Sequence, residues 1–453
     1  MCFIDKDFDP QFLASFFSLL MKRKVEYTVL RNYKHLPNKL DGSDIDILIN
    51  EQDKKKFEQY LNSIISENGG KPIVFYRAGR FVRACYIGYD YKYWSFQLDI
   101  HYGEDYRGVE YYESNKLLKH SQLHNNIKVL NYSDAMLLGV LKEILNNAKF
   151  RKNYFEKASL EYKRNHHYYD EMLINMLGKK AHRIWKQNLL NNVELNEKKL
   201  AAITRRALLK TQLKSNPIKI VRKKMRYTYD RYKRIFNPPG YMIAVLGVDG
   251  AGKTTLIDCI QAPLNQAVHG QVKIQHLRPN LLPSIAKIFG KKENVSQIDN
   301  PHENHPSGIV GSLLRITYYA FDYVLGYWVK VYPELITRQR IYIFDRYFYD
   351  YRLDQRRNAI SLPDWVFELI QWLIPKPDLI LCLGADPRVI YERKPELALD
   401  EITRQVNNLR QLCKENRRAV WINTDVAVEK SVSMALKEIS KNMSARYTNN
   451  SYG

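Results

Sequence analysis

The stretch GVDGAGKTT, Gly247–Thr255, decides how the second half of this chain is read. It follows the apolar run Tyr241–Leu246 and keeps the spacing Gly247-x-x-x-x-Gly252-Lys253-Thr254. A strand that feeds a glycine-rich turn and then a helix makes an anion cradle. The glycines let backbone N–H groups surround a phosphate, and the helix N-terminus adds positive potential. In that setting Lys253 reaches the outer phosphates and the Thr254 hydroxyl takes a place on Mg²⁺. Gly247, Gly250, Gly252, Lys253, Thr254 and Thr255 are therefore the candidate phosphate-binding set.

Downstream, short apolar runs alternate with helical stretches. They are Tyr241–Val248, Val272–Leu277, Arg340–Phe344, Asp378–Gly384 and Ala419–Asn423. This alternation predicts α/β structure with a doubly wound parallel sheet, whose ligands sit beyond the carboxyl ends of the strands. The third run ends in Asp345-Arg346-Tyr347. An acid at a buried strand end beside a phosphate loop handles Mg²⁺ or its water, and an arginine there grips an acceptor phosphate bidentately. A local Asp345–Arg346 ion pair is the plainer alternative.

Upstream, Asp44–Ile49 reads DIDILI, a strict alternation that puts Asp44 and Asp46 on one strand face. QLDIHYG adds Asp99. Three convergent carboxylates suit divalent metal ions and nucleotidyl transfer. Val25–Arg31 is a strand candidate, Glu51–Ser66 a helix, and Phe81–Tyr89 with Trp94–His101 a hairpin, giving an α+β pattern. From about Ser133 to Lys233 the pattern is helical and increasingly basic, until Asn-Pro-Pro-Gly at Asn237–Gly240 breaks it. The expected organisation is 1–130, a helical basic connector over 131–239, and 240–445.

Within 453 residues there is room for several cores. No apolar run nears the ~20 residues that span a bilayer. The apolar run Phe12–Met21 follows an acidic start and reads as an amphipathic helix rather than a secretory signal. The cysteines, Cys2, Cys85, Cys259, Cys382 and Cys413, are scattered, which argues against a disulfide or zinc scaffold and for a cytoplasmic protein. Residues 151–240 hold 23 basic against 7 acidic residues, so this segment carries most of the net charge of +23. Such a field attracts nucleic acid, an anionic membrane surface or nucleotide phosphates, with steep salt dependence. The alternative is a solvated connector. A second copy of the chain is a further candidate partner.

The order GVDGAGKTT, LRP at Leu277–Pro279, DRY, and PDLILCLGADP at Pro377–Pro387 resembles thymidylate kinases across about Tyr241–Met443. The resemblance implies an ATP- and Mg²⁺-dependent phosphotransferase acting on a small-molecule phosphate acceptor, with Lys253, Asp345, Arg346 and a lid arginine, Arg393, as the catalytic set. It also implies that Asp249 faces the acceptor and that Arg278 holds the acceptor phosphate, with Lys394 and Arg404 as further lid cations. Tyr319 falls at the family's stacking position. Asp322-Tyr323 stands where Asp-Arg is expected, and Asp350 replaces a serine. Tyr319, Tyr323 and Tyr327 lie four apart on one helical stripe, read either as core packing or as a remodelled acceptor wall for a sugar, polyol or amino-alcohol phosphate. This divergent branch resembles thymidylate kinase-like proteins associated with bacterial surface-polysaccharide pathways.

Residues 1–130 resemble minimal nucleotidyltransferases. In that family a Gly-Ser turn upstream of the first acid holds the nucleotide phosphates; here Arg31-Asn32-Tyr33 occupies the matching strand end and Gly42-Ser43 abuts Asp44. Three organisations follow. One is a kinase fused to a nucleotidyltransferase-like half. Another is a nucleotidyltransferase with a nucleotide-sensing phosphate loop. The last is a non-enzymatic, nucleotide-gated polyanion-binding module.

Overall fold

The structure is a computed structural model and describes residues 10–40, 44–88, 94–191, 196–283 and 308–448. The turn Gly42-Ser43, Cys2 and Tyr89 lie outside the described residues.

In the second half, β10 (Tyr241–Gly247), β11 (Val272–His276), β12 (Ile341–Asp345), β13 (Leu379–Gly384) and β14 (Ala419–Asn423) form a five-stranded sheet in the order β11-β12-β10-β13-β14. Every pairing is parallel. The five apolar runs are thus the five strands, and near-continuous burial of β10 and β13 follows from helices covering both faces. With all strands parallel, Gly247, His276, Asp345, Gly384 and Asn423 gather along one edge of the sheet. Lys253 opens α9 (Lys253–Ala267), the helix that follows the phosphate loop.

The first half holds a mixed seven-stranded sheet. Its strands are β1 (Tyr27–Val29), β2 (Asp44–Ile49), β3 (Gly70–Ala78), β4 (Phe81–Gly88), β5 (Trp94–His101), β8 (Ser121–His124) and β9 (Ile127–Leu130), in the order β3-β4-β5-β2-β1-β9-β8. A separate ribbon pairs β6 (Glu104–Tyr106) with β7 (Val109–Tyr112). The hairpin β4–β5 and the parallel pair β2–β5 set Asp46 directly opposite Asp99. β3 had no signal of its own in the sequence. Pro72 interrupts its pattern and coincides with a register shift, which an edge strand tolerates because it lacks a partner on one side.

The helical stretch is more than a connector. α4 (Tyr132–Asn147), α5 (Lys152–Arg164), α6 (His166–Asn191) and α7 (Glu197–Ser215) bury Leu137, Leu141, Ile144, Tyr162, Tyr169, Trp185 and Leu208 in one core with Leu30, Leu48 and Tyr106 of the first half. The basic residues that dominate the composition sit outside that stripe. Only α8 (Pro217–Phe236) keeps a mostly solvated surface.

The two halves share apolar surface. Ile73, Val74, Cys85 and Ile87 of β3 and β4 belong to the same buried cluster as the parallel sheet, and Phe75 meets Tyr447 of the helix Val428–Thr448. α9 also packs on β4 and β5. Cys85, Cys382 and Cys413 are free thiols. Among the described residues, no helix is long and apolar enough to cross a membrane.

Candidate functional site

The phosphate loop forms one wall of a cavity of about 650 Å³ at the carboxyl edge of the parallel sheet. Gly250 and Gly252 have φ of 87° and 85°, a region that favours glycine. A Cβ on Gly250 would also crowd the Ile390 carbonyl and Lys394 at 3.1 Å. Lys253 Nζ donates to the carbonyls of Gly247 at 2.9 Å and Val248 at 3.0 Å and pairs with Asp249 at 3.1 Å. Burial pushes its pKa down to about 8, the neighbouring Arg346 adding to the effect and Asp249 opposing it. Thr254 and Thr255 line the same cavity.

Asp249 is the hub of this wall. Burial favours its neutral form, but Lys253, Arg346 and Arg357 hold its pKa well below the usual carboxylate range. Arg346 (φ 70°) donates from one nitrogen to both oxygens of Asp350 at 2.9 Å and from another to Asp249. The plainer Asp345–Arg346 pair is not formed. Asp345 instead meets His276 Nδ1 at 3.1 Å, while its other oxygen is buried with no hydrogen-bond partner. Burial raises the Asp345 pKa, but His276, Lys253 and Arg346 outweigh it and keep the acid ionised. Asp345 and Thr254 line the same cavity, and a carboxylate with a hydroxyl there suits a divalent ion or its water. At the far end Arg393 donates to the Thr424 carbonyl at 3.0 Å, and the Thr424 hydroxyl is likewise buried without a partner.

The expected acceptor residues separate into two groups. Asp249 faces the cavity; Arg278, Tyr319 and Tyr323 do not line it. Arg278 pairs with buried Asp322 at 3.2 Å and lies over the Tyr319 ring, 4.8 Å from its centroid. Tyr319 stacks on Tyr351. Tyr323 is 1% exposed, wedged against Tyr347 and Phe348, with its hydroxyl on the Leu277 carbonyl. The tyrosine stripe is therefore chiefly core at Tyr323, because the Asp322 carboxylate also caps the amides of Leu281 and Leu282 and fixes the helix in place. Of the lid cations, Lys394 lines the cavity, whereas Arg404 is engaged by Glu401 and the Leu353 carbonyl. Sequence reasoning missed Arg357 and His276. Arg357 sits in a loop with no motif, and His276 acquires meaning only through its register opposite Asp345.

In the first half, Asp44, Asp46 and Asp99 do converge, with one oxygen of each within 4.8 Å of the others. Each already carries an internal cation. Arg31 bridges Asp44 and Asp46, Arg83 takes Asp99 bidentately at 2.9 and 2.7 Å, and Lys142 reaches Asp46 at 3.3 Å. His101 also meets Asp46 at 3.3 Å and Glu104 at 3.0 Å. Burial alone would neutralise Asp46, yet Lys142, His101 and Arg31 hold its pKa well below normal. Asp44, with weaker cation contact, is raised by burial and by its acidic neighbours. As the side chains stand, Arg31, Arg83 and Lys142 balance the three carboxylates, and a divalent ion would have to displace them. Arg31 and Lys142 instead line a cavity of about 600 Å³ with Lys34, Arg151 and Lys157.

This arrangement has a thermal consequence. Mn²⁺ is expected to shift the unfolding midpoints of the full chain and of Asp46→Asn equally, but to raise that of Arg31→Ala further, where Asp44 and Asp46 lose a cation. Differential scanning calorimetry decides it. A rise in wild type that Asp46→Asn abolishes would show that metal displaces the internal cations.

The chain matches no protein-family model and no curated protein sequence. Among solved structures, it is similar to a thymidylate kinase from Ehrlichia chaffeensis at 16% identity and a TM-score of 0.31, over 44% of this chain and 98% of that one.

Proposed function

We propose that the second half is an ATP- and Mg²⁺-dependent phosphotransferase whose acceptor is a small phosphate-bearing molecule other than thymidylate. One observation carries this reading: Lys253, Thr254, Asp345, Arg346 and Arg357 all line one cavity at the strand ends. Loop amides and Lys253 would hold the ATP phosphates, leaving their charge compensated on one side. Thr254 and Asp345 would hold Mg²⁺, which when bound neutralises charge that builds between the outer phosphates. Arg346 and Arg357, both anchored on Asp249, would present nitrogens to the acceptor phosphate, and Arg393 or Lys394 would close on the transferring group. Among the described residues the cavity lining is mostly polar and charged, with His276 as its aromatic ring, which suits a sugar or polyol phosphate.

The test incubates the purified chain with labelled ATP, Mg²⁺ and a panel of sugar phosphates, polyol phosphates, dTMP and other nucleoside monophosphates, and weighs the products. Transfer to a non-nucleotide phosphate ahead of dTMP is expected. Efficient, selective dTMP phosphorylation overturns the acceptor assignment. Tight ATP binding without transfer to any acceptor overturns the kinase in favour of a nucleotide sensor.

A further inference from the structure

Helix α8 has two faces of different kinds. The inward one carries Ile220, Lys223, Tyr227, Asp230 and Arg234, at helical spacing. Ile220 is buried, Lys223 pairs with Glu110 at 2.7 Å, Tyr227 covers Gly79, Asp230 accepts from the Gly79 amide at 2.7 Å, and Arg234 lies over the Tyr76 ring. These contacts fix the helix on the first half.

Directly opposite runs a second stripe: Ile218, Val221, Met225, Tyr229, Tyr232 and Phe236. Its steps of three and four residues keep it on one face for the whole length of the helix. All six side chains are exposed, from 52% at Val221 to 81% at Ile218. An isolated exposed apolar residue needs no explanation; six in line on a firmly docked helix do. Arg222, Arg226 and Lys233 flank the ridge on one side and Lys224 and Arg231 on the other, by the same 100° geometry. At the C-terminal end the ridge meets the second half, where Tyr332 donates to the Ile235 carbonyl and contacts exposed Trp328 at 4.8 Å between ring centroids.

We infer that α8 lies on an anionic phospholipid surface, with the apolar ridge entering the headgroup–acyl boundary and the basic flanks meeting the lipid phosphates. Charge complementarity selects this occupant. A nucleic acid would satisfy the flanking cations but leaves six apolar side chains in water, and a second copy of the same helix would bring its basic flanks against each other. A basic amphipathic helix with aromatic residues at its end matches the physics of interfacial binding. None of this depends on the catalytic reading, because no residue of the ridge lines the phosphate-loop cavity.

The experiment is flotation of the full chain with vesicles of phosphatidylcholine alone or mixed with phosphatidylglycerol. Wild type is expected to partition at least about tenfold more onto the anionic vesicles, less so as salt is raised. Met225→Ser/Tyr232→Ser/Phe236→Ser should lose about tenfold or more of that binding while keeping the unfolding midpoint and ATP binding. Ile218→Ser/Val221→Ser, at the other end of the ridge, gives a second variant should the first misfold. Arg222→Gln/Lys233→Gln should remove the preference for anionic lipid. Equal binding to both vesicle types, or ridge variants that float like wild type, overturns the inference. So does a lipid-free dimer that the ridge variants dissociate, or salt-sensitive oligonucleotide binding without vesicle binding.

Discussion

Replacing Lys253 with alanine is expected to lower phosphotransfer by at least about a thousandfold while leaving the chain folded. The lysine nitrogen rests on two loop carbonyls and Asp249. Its removal relieves a buried charge whose pKa is already pushed down to about 8, and Asp249 keeps Arg346 and Arg357. Stability should therefore change little, and calorimetry run beside a labelled-phosphate assay separates the two effects. Full transfer by a folded Lys253→Ala chain removes the phosphate loop from the mechanism. The same side chain sets a pH dependence. Bound phosphates favour protonated Lys253, so below pH 8 ATP affinity should be flat. Above pH 8 binding must take up a proton, and the Kd should rise about tenfold per pH unit until the lysine pKa of the complex is reached. Lys253→Ala should lose that slope along with most of the affinity, which isothermal titration across pH reports.

Arg346→Ala is expected to cost both activity and stability. Arg346 is 6% exposed and its guanidinium joins Asp350 to Asp249, two acids far apart in the chain. Deleting it leaves Asp350 as a buried carboxylate without its cation, a loss of about 3–5 kcal/mol. Removing the second partner should undo much of this: Arg346→Ala/Asp350→Ala should unfold nearer wild type than Arg346→Ala alone. Activity should stay at least about a hundredfold down in both variants, because the acceptor phosphate loses the same donor in each. If the double variant recovers stability and transfer together, Arg346 only supports the fold.

The parallel sheet was legible because buried strands of this kind are continuous apolar runs, and each of the five ends at a position where polar residues gather. The phosphate loop was legible because glycine at Gly250 and Gly252, with positive φ, is a backbone requirement that leaves a mark in one short window. The alternation in DIDILI likewise put Asp44 and Asp46 on one face before any fold was known. Long-range choices left no such mark. Whether Arg346 would pair with Asp345 or Asp350 depended on strand-end geometry, and Tyr323 became core only when Tyr347 and Phe348 closed over it. The three N-terminal acids converge as their strands suggest, but their cations Arg31, Arg83 and Lys142 come from parts far apart in the chain. The basic stretch after residue 150 had one composition but two fates: α5 to α7 turned their apolar stripes into a core, and α8 turned one outward. Local periodicity and backbone needs are written in neighbouring residues, so the sequence alone determined the five parallel strands, the hairpin β4–β5 and the phosphate loop. The partner of each buried charge, and the face each stripe presents, depend on residues far apart in the chain, so only the tertiary structure decided them.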